Sequence, residues 1–396
     1  MDKKKIAVLT ATRAEYGLLK SVIRHIYDDS DLELYVLVTG MHLSEEFGST
    51  YQEILEDGFP IAVKIPILGD GDSHAETSKA MAAALNGFGT YFEKNNMDML
   101  IVLGDRYETI AVCLAAMNAK IPIAHIHGGE ITEGAIDDAI RHAITKLSYL
   151  HFPAAEAYAK RIIQLGESPD RVFNVGALGV ENIKNIQLLS REELESSFGF
   201  SLEQPYAVVT FHPVTLEYTD VKEQFQELLD ALDEFDLRYI ITKANADTYG
   251  RVINQMIDEY ASMHQNVYAV TSLGMRKYLS AVKYSTMVIG NSSSGIVEAP
   301  SLHVPTVNIG DRQRGRLAAE TVIHCRTNKE EIKKAIKKAL AIDWVKEVEF
   351  GHNPYEGNDT SLKIVSICKE FLFDNCIDLK KKFYDIKDPR NHEPAN

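Results

Sequence analysis

Short apolar runs alternate with amphipathic stretches over the first half of the chain. The runs predict buried strands, and the stretches between them, among them residues 16–26, 73–95 and 135–150, have the spacing of helices. Strands that are apolar throughout are typical of a parallel sheet with helices on both faces, so we predict an α/β fold. The predicted strands of this half are residues 6–10, 32–38, 99–103, 121–126 and 172–175.

The same alternation resumes after a polar stretch at residues 178–204, which we interpret as a connection between domains. Within it, Ser190 and Glu193 have the spacing of a capping box at a helix start. The predicted strands that follow are residues 206–210, 238–241, 266–270, 287–289 and 306–308. The predicted helices are residues 221–235, 250–260, 275–282, 329–340 and 361–373.

The length of the chain favours more than one domain, since 396 residues are many for a single hydrophobic core. We assign an N-terminal Rossmann-like domain to residues 1–180 and a C-terminal one to residues 181–375. Residues 376–396 form a tail, and its last part, residues 389–396, is predicted to be disordered. Ligands of open parallel sheets bind beyond the carboxyl ends of the strands, so we expect the site in the cleft between the domains.

One strand end in the second half carries an unusual run of small residues. The apolar residues 287–289 are followed by Ser292, Ser293 and Gly295, and then by Glu298. Small side chains let the backbone approach an anion, and the N–H groups of a helix start bind phosphate. We therefore favour a phosphate site over a turn that merely needs glycine, with Glu298 placed to accept hydrogen bonds from ribose hydroxyls.

Composition narrows the range of partners. The formal net charge of −15 argues against nucleic acid and acidic membrane surfaces. No apolar run approaches the roughly 20 residues needed to span a bilayer, and the start of the chain lacks the apolar core of a secretory signal. The four cysteines show no metal-ligand spacing. We expect a cytoplasmic protein that binds neither nucleic acid nor membrane.

Charged residues follow the strands of the first half. Arg13 lies at a helix start, where the helix dipole disfavours it, and we predict that it clamps a phosphate. Asp105 follows residues 99–103 and is either an active-site carboxylate or the N-cap of the next helix. Its neighbour Arg106 is a candidate for bidentate binding of a diphosphate.

Two histidines, His125 and His127, come at the end of the next predicted strand. Strand alternation places both on one face, which makes them candidate metal ligands. Alternatively, one of them moves protons near neutral pH, or His125 is a hydrogen-bonded core residue. Further along, Asp137 and Arg141 have the spacing of an ion pair on a helix surface, which by itself indicates no function.

The second half offers further candidates at its strand ends. His212 precedes a proline, which favours an extended backbone, and we expect its side chain to face the cleft. Asn245 follows the next strand and is a candidate polar contact. Arg312, Arg314 and Arg316 lie in one short loop, which we predict to bind an anion.

Taken in order, these motifs closely resemble the hydrolysing UDP-N-acetylglucosamine 2-epimerases of bacterial sialic acid synthesis. The resemblance covers nearly the whole chain, and seven motifs in one order are specific where each alone is weak. The motifs are those at residues 13–16, 104–106, 125–130, 137–142, 212–215, 291–295 and 310–313. The resemblance implies two Rossmann-type domains arranged as in GT-B folds, a homodimer or homotetramer, and neither a metal nor a nicotinamide cofactor.

The resemblance also implies roles, position by position. Asp105 and Asp137 match the acid/base carboxylates of the family. His127 matches a position where relatives commonly carry glutamate, which leaves open whether His127, Glu130 or Asp137 transfers the proton. His212 matches a histidine near the diphosphate. The remaining matched nucleotide-binding positions are Arg13, Arg106, Asn245, Ser292, Ser293, Glu298 and Arg312.

The implied reaction converts UDP-N-acetylglucosamine and water into N-acetylmannosamine and UDP, by anti elimination of UDP and syn hydration of the resulting glycal. One enzymatic alternative is a related epimerase acting on a UDP-2,4-diacetamido-2,4,6-trideoxyhexose. A non-hydrolysing epimerase is disfavoured by the motifs at residues 128–130 and 137–142. Two other classes remain open, a metal-dependent hydrolase built on His125 and His127, and a nucleotide-sugar sensor without turnover.

Overall fold

Two parallel six-stranded sheets organise the chain in this computed structural model. The structure describes residues 2–69, 71, 73–132, 136–213, 221–244, 249–341, 353–374 and 377–386. Asn245 and the predicted disordered residues 389–396 lie outside the described residues.

The first sheet has the order β3-β2-β1-β4-β5-β6, and the second has the order β12-β11-β10-β7-β8-β9. The strands of the first sheet are β1 (Lys4–Thr10), β2 (Leu32–Thr39), β3 (Ile61–Ile65), β4 (Met99–Leu103), β5 (Ile123–Ile126) and β6 (Leu150–Phe152). Those of the second are β7 (Tyr206–Thr210), β8 (Arg238–Thr242), β9 (Val267–Val270), β10 (Met287–Gly290), β11 (Thr306–Ile309) and β12 (Val322–Cys325). Both are doubly wound Rossmann-like sheets, so the α/β prediction is confirmed.

Helices connect these strands. Those of the first half are α1 (Arg13–Asp28), α2 (Tyr51–Glu56), α3 (His74–Lys94), α4 (Tyr107–Asn118), α5 (Asp137–Leu147), α6 (Glu156–Gln164) and α7 (Leu178–Asn185). Those that follow are α8 (Arg191–Phe198), α9 (Val221–Leu232), α10 (Gly250–Met263), α11 (Gly274–Tyr284), α12 (Ser294–Val297), α13 (Lys329–Ala339) and α14 (Thr360–Phe373). The predicted capping box at Ser190 and Glu193 is confirmed at the start of α8.

Two predictions of secondary structure are wrong, and the connection between the halves contains a helix that the sequence did not indicate. Residues 172–175 do not form a strand, and only Val172 makes a bridge, to His151. The helix predicted to reach residue 150 ends at Leu147, because the chain enters the edge strand β6 three residues later. The connection at residues 178–204 contains α7 as well as α8, and Leu178 and Val180 of α7 are fully buried.

The last helix, α14, packs against the first half although it follows the second sheet in sequence. Ile364, Val365 and Cys368 join the hydrophobic core beneath β1 and α1. The Lys369 ammonium pairs with the Asp29 carboxylate at 2.9 Å. A division of the chain at residues 180 and 375 stays a proposal, with α14 completing the N-terminal body. Among the described residues, no helix is both long and apolar enough to cross a membrane.

Each sheet has one point at which the strand order reverses, between two neighbouring strands. The order of the first sheet reverses between β1 and β4, and that of the second between β7 and β10. Doubly wound sheets bind their ligands at such switch points, beyond the carboxyl ends of the strands. Asp105 follows β4, His212 follows β7, and the serine run follows β10. The strand order therefore places the sequence-predicted residues where a ligand is expected.

Candidate active site

A cavity of about 290 Å³ lies between the two halves. Arg13 and Gly17 of α1 and Asn182 of α7 line it from the first half of the chain. Residues after β7, β8 and β10 and the start of α11 line it from the other side. Its members from the second half include Thr210, His212, Lys243, Leu273, Gly274, Tyr278, Ser292, Ser293, Ser294, Glu298 and Arg312. Six of the sequence-predicted nucleotide-binding residues thus share one cavity.

Asn291 connects two segments of this cavity, the one at His212 and the one at Arg312, through hydrogen bonds. Its side-chain oxygen accepts a hydrogen bond from the His212 N–H at 2.7 Å, and its amide nitrogen donates to the His212 carbonyl at 2.8 Å. Its own carbonyl accepts from Arg312 at 3.1 Å and from Gln313 at 2.8 Å. Gly290 has a φ of +133°, and a Cβ there would collide with the Thr210 carbonyl oxygen. Only glycine permits this close approach of β10 to β7.

The serine run differs in one respect from the predicted phosphate-binding helix start. Helix α12 has four residues, so its aligned peptide dipoles are few, and Glu298 is its C-cap residue. The anion-binding capacity of the turn therefore comes from its donors. Among the described residues, none accepts a hydrogen bond from the N–H of Ser292 or Ser293. Gly179 permits close contact with Glu298, since a Cβ there would collide with the carboxylate.

Three cations border the cavity, and two are paired with acidic residues. Arg13 contacts Glu53 at 2.6 Å and lies so close to Gly274 that a Cβ there would collide with its guanidinium. Lys243 pairs with Asp258 at 2.7 Å. The Arg312 side chain donates to a backbone carbonyl, which leaves its charge without a close carboxylate among the described residues. Arg312 is therefore best placed to meet a diphosphate.

Arg106, predicted to bind the nucleotide, does not line this cavity. Its Nε donates to the Glu108 carboxylate at 2.6 Å, and Glu108 is fully buried. Arg106 thus has a structural partner in the N-terminal body. Whether it also binds a nucleotide stays a prediction.

A second group of polar residues consists of four residues of the N-terminal body and one of the loop after β11. We call it the carboxylate cluster: Asp105, Glu130, Thr132, Arg141 and Arg316. The Arg141 guanidinium donates to the Asp105 carboxylate, to Thr132 Oγ1 at 2.6 Å and to the Glu130 carbonyl at 2.9 Å. Arg316 pairs with the Glu130 carboxylate at 2.9 Å. Two of the three carboxylates predicted to transfer protons, Asp105 and Glu130, thus lie against arginines.

Electrostatics keep Asp105 ionised. Burial alone would raise the pKa of this carboxyl group, but the positive charges of Arg141, Arg316 and Arg312 outweigh burial and hold its pKa below the ordinary value. An ionised carboxylate at neutral pH can accept a proton. Asp105 is therefore suited to the role of a base. The alternative interpretation as the N-cap of α4 is wrong, because that position is occupied by Arg106.

His127 lies just beyond β5 and has a φ of +64°, in the left-handed region. Burial lowers its pKa, and the positive charge of Arg316 adds to this, while Glu130 and Asp105 oppose it. The ring is accordingly neutral at pH 7. The turn also breaks the strand alternation that would have placed His125 and His127 on one face. Among the described residues, no group hydrogen-bonds to the buried Nε2 of His127.

His125 is a satisfied core histidine rather than a metal ligand. Its Nε2 donates to the Gly104 carbonyl at 2.7 Å, and Nδ1 lies 3.4 Å from the Thr145 hydroxyl. Burial lowers the pKa of His125 to about 3, so the ring stays neutral. Within the described ranges, no three His, Cys, Asp or Glu side chains are grouped as metal ligands. The metal-ligand interpretation of His125 is therefore wrong.

Asp137 is the first residue of α5 and is partly buried. The interpretation of Arg141 as a surface partner of Asp137 is wrong, because only 1% of the Arg141 side chain is exposed. Arg141 shares the buried face of α5 with Ile144 and Thr145. Arg141 lies on the apolar stripe of an amphipathic helix, and this position in the sequence could have indicated that it is buried.

The loop after β11 joins the cavity to the carboxylate cluster. Arg312 lines the cavity, Arg316 pairs with Glu130, and Arg314 is exposed beside Asp311 at 3.6 Å. The prediction of one anion site with three arginines is thus wrong, since the three side chains have different surroundings. Sequence reasoning also missed Tyr158, whose hydroxyl accepts a hydrogen bond from the Leu317 N–H at 2.9 Å.

Comparison with known proteins agrees with this picture. Residues 24–369 match the family described as UDP-N-acetylglucosamine 2-epimerase. The chain is 40% identical to the GDP/UDP-N,N'-diacetylbacillosamine 2-epimerase (hydrolyzing) of Campylobacter jejuni, over 98% of this chain and 100% of that protein. It is also 40% identical to the polysialic acid biosynthesis protein P7 of Escherichia coli, over 97% and 98% of the two chains.

Solved structures show the same fold. One is the UDP-GlcNAc 2-epimerase of Methanocaldococcus jannaschii in complex with UDP-GlcNAc and UDP. It superposes with a TM-score of 0.77 and 19% identity, over 92% of this chain and 99% of that one. The GT-B-like arrangement of two Rossmann-like sheets is thereby confirmed. The chain belongs to the UDP-N-acetylglucosamine 2-epimerase family, whose hydrolysing members its motifs resemble.

Proposed function

We propose that this protein is a hydrolysing UDP-N-acetylglucosamine 2-epimerase, which converts UDP-N-acetylglucosamine and water into N-acetylmannosamine and UDP. One observation carries the proposal. The loop after β11 carries both Arg312, which lines the nucleotide cavity, and Arg316, which pairs with Glu130 of the carboxylate cluster at 2.9 Å. A diphosphate held at the cavity therefore has its sugar next to carboxylates that can move protons.

The first half-reaction fits the charges of the site. The proton on C2, beside the acetamido group, is weakly acidic, so its removal must accompany departure of the anomeric oxygen. A base takes the C2 proton, the C–H electron pair forms a C1–C2 double bond, and the C1–O bond breaks toward UDP. Asp105, held ionised by Arg141 and Arg316, has the charge of that base. Arg312 and the serine N–H groups stabilise the charge that develops on the leaving diphosphate.

The second half-reaction hydrates the glycal. Water adds at C1 while C2 receives a proton on the face opposite to the one that lost it, which inverts C2. This step needs a second acid/base group, and Glu130, Asp137 and His127 are the candidates of the N-terminal body. The reaction needs no redox cofactor, because no atom changes its oxidation state overall. His212, tied to Asn291, is proposed to contact the diphosphate.

A second substrate is favoured by the relatives. The Campylobacter jejuni protein, at 40% identity, is named for diacetylbacillosamine, a 2,4-diacetamido sugar, while the Escherichia coli protein at the same identity is named for polysialic acid biosynthesis. A UDP-2,4-diacetamido-2,4,6-trideoxyhexose is therefore the alternative substrate. The chemistry at C1 and C2 is the same for both sugars, so the residues proposed above keep their roles.

Proton NMR of each substrate with the enzyme in deuterated water tests the proposal. We expect release of UDP together with a free sugar of inverted C2 configuration that carries deuterium at C2. The preferred substrate is the one with the higher kcat/KM. Release of unlabelled sugar with retained C2 configuration would indicate simple hydrolysis. Formation of a UDP-linked epimer would indicate a non-hydrolysing enzyme, and binding without any product would indicate a sensor.

Arg312→Ala is expected to weaken UDP binding by about 2–3 kcal/mol, since a charge-assisted contact to the diphosphate is lost. Isothermal titration calorimetry with UDP measures this change. Arg314→Ala is the matched control, because Arg314 lies two residues away with 65% of its side chain exposed. Equal UDP affinity of the Arg312 variant and the wild type would remove Arg312 from the nucleotide site.

The proposed homodimer or homotetramer is tested separately by light scattering.

A further inference from the structure

Three buried polar atoms around the Glu130–Arg316 ion pair lack hydrogen-bond partners among the described residues. They are Oε1 of Glu130, Nε of Arg316 and Nε2 of His127. Only 3% of the Glu130 side chain and 10% of the Arg316 side chain are exposed. Buried polar atoms are nearly always paired in native proteins, and exceptions concentrate where a ligand, a water or a catalytic function supplies the partner. The Glu130–Arg316 ion pair therefore has polar atoms available for contacts with a ligand or a water.

Arg316 acts on three titratable side chains of this site. It contacts Glu130 directly at 2.9 Å, and its charge lowers the pKa values of both Asp105 and His127. Two other arginines face Asp105, Arg141 from α5 and Arg312 from the same loop. The Arg141 guanidinium also donates hydrogen bonds to Thr132 Oγ1 and to the Glu130 carbonyl. Arg316 is thus the only described residue of the second half whose side chain pairs with a carboxylate of the cluster.

The backbone beside Arg316 is anchored to the N-terminal body. The Tyr158 hydroxyl accepts a hydrogen bond from the Leu317 N–H at 2.9 Å, and the Tyr355 hydroxyl donates to the Leu317 carbonyl at 2.8 Å. The two hydroxyls lie 2.6 Å apart. Both tyrosine side chains are fully buried. This pair of tyrosines fixes the position from which the Arg316 guanidinium reaches Glu130.

Arg312 and Arg316 therefore lie in one loop but contact different parts of the site. Arg312 lines the nucleotide cavity, whereas Arg316 does not. We propose that Arg316 is a positioning residue for proton transfer, which orients Glu130 and faces Asp105 without contacting the nucleotide. This inference rests on the proposed function, because it concerns the proton-transfer steps of that reaction. It predicts that the two arginines have separable effects on binding and on turnover.

Arg316→Gln is expected to lower kcat about 100-fold, because a misplaced catalytic group costs about this factor. The dissociation constant of UDP should stay within about twofold of the wild-type value, since Arg316 does not line the cavity. The acid limb of the pH profile of kcat should move to higher pH, because one of the three arginines that lower the pKa of Asp105 is lost. Calorimetry with UDP and a coupled assay of UDP release measure these quantities.

Two further variants separate positioning from folding. Arg316→Lys keeps the charge but loses the planar fork, so we expect a kcat between those of Arg316→Gln and the wild type, with the acid limb nearly unmoved. Arg314→Gln removes the same charge from an exposed position on the same loop and should leave both kcat and UDP affinity unchanged. Binding of UDP by each variant shows that the cavity is intact. If Arg316→Gln fails to fold, the lysine variant decides the question.

The outcomes distinguish the inference from the proposed function. Wild-type kcat in Arg316→Gln or Arg316→Lys would overturn the positioning role, as would a loss of kcat that merely follows a loss of UDP affinity with an unmoved acid limb. Absence of epimerising hydrolysis by the wild type with either UDP-sugar would instead refute the proposed function. A lowered kcat with intact UDP binding and a shifted acid limb supports the inference.

Discussion

Asp105→Asn is expected to reduce kcat by about 10²- to 10⁴-fold while UDP still binds with nearly wild-type affinity, the range typical of a lost acid/base group. The amide keeps the shape of the carboxylate but cannot accept the C2 proton. The cavity that we assign to UDP does not include Asp105 among its lining residues. Turnover and nucleotide binding should therefore separate in this variant.

The fold should survive the substitution. Arg141 loses its charged partner at Asp105 but keeps its hydrogen bonds to Thr132 Oγ1 and to the Glu130 carbonyl. It also keeps Asp138, whose carboxylate lies 3.5 Å from the guanidinium. Arg141 thus keeps hydrogen-bond acceptors. A buried charge that loses its partners destabilises a protein strongly, and this situation does not arise here. Thermal unfolding with and without UDP measures this directly.

Asp98→Asn is the matched control. Asp98 precedes β4, whereas Asp105 follows it, so the two carboxylates lie at opposite ends of one strand. The Asp98 carboxylate accepts a hydrogen bond from the Lys5 N–H at 2.8 Å, far from the carboxyl end of the sheet. Its amide variant should retain wild-type kcat. Turnover by Asp105→Asn at a rate close to that of the wild type would remove Asp105 from the mechanism.

Sequence patterns predicted the strands that are continuously apolar. The bounds of β4 and of β7 agree with the prediction at both ends, because each consists of five consecutive buried residues. Strand β3 escaped detection, since every second residue of it is exposed at the edge of the sheet. Strand β12 is also an edge strand, and its last two residues, His324 and Cys325, are not fully buried. Edge strands lack the two-sided burial on which the prediction rested.

The candidate site was predictable residue by residue but not as an arrangement. Chemistry at strand ends indicated Asp105, His212 and the serine run from the sequence alone. The pairing of Glu130 with Arg316 was not predictable, because the two residues belong to different halves and meet only in the folded chain. Arg141 was underestimated for the same reason. An i,i+4 spacing indicates an ion pair within a helix, but says nothing about a carboxylate beyond another strand.

The second large effect that we expect is a loss of stability when the buried Glu167 is replaced. Residues 377–386, which we call the C-terminal strap, lie against the N-terminal body through Glu167. The Glu167 side chain is fully buried and contacts Lys146 at 2.6 Å, Lys381 of the strap at 2.7 Å and His151 at 3.1 Å. Phe383 covers Gly166, where a Cβ would collide with its ring. The buried Glu167 carboxylate is thus the charged contact that holds the strap, beside the packing of Phe383.

Glu167→Gln is expected to lower the free energy of unfolding by about 3 kcal/mol at pH 7, because removal of one partner leaves buried positive charge uncompensated. Lys146 is partly exposed and can turn to solvent, so the effect comes mainly from Lys381. The Lys381 ammonium would keep only uncharged acceptors among the described residues, namely the carbonyls of Lys146 and Ser148 and the new side-chain amide oxygen. Urea unfolding at pH 7 measures the change, and faster proteolytic cleavage within the strap should accompany it.

The pH dependence of this effect has a definite sign. Burial would raise the pKa of Glu167, but hydrogen bonds from His151, Lys146 and Lys381 outweigh burial and lower it to about 2, from an ordinary value of 4.5. A carboxyl group with a depressed pKa stabilises the fold above its unfolded-state pKa and loses this contribution as the pH falls toward the folded-state value. The difference in stability between the wild type and Glu167→Gln should therefore be constant above about pH 5 and shrink between pH 4.5 and pH 2.

An exposed ion pair provides the contrast that isolates burial as the cause. Glu156 and Lys160 lie 3.9 Å apart on α6, and 68% and 73% of their side chains are exposed. Glu156→Gln should change the free energy of unfolding by less than about 0.5 kcal/mol, as is usual for surface pairs. An equally small change in Glu167→Gln, or a stability difference that does not vary between pH 5 and pH 2, would show that the strap is held by its apolar contacts rather than by the buried carboxylate.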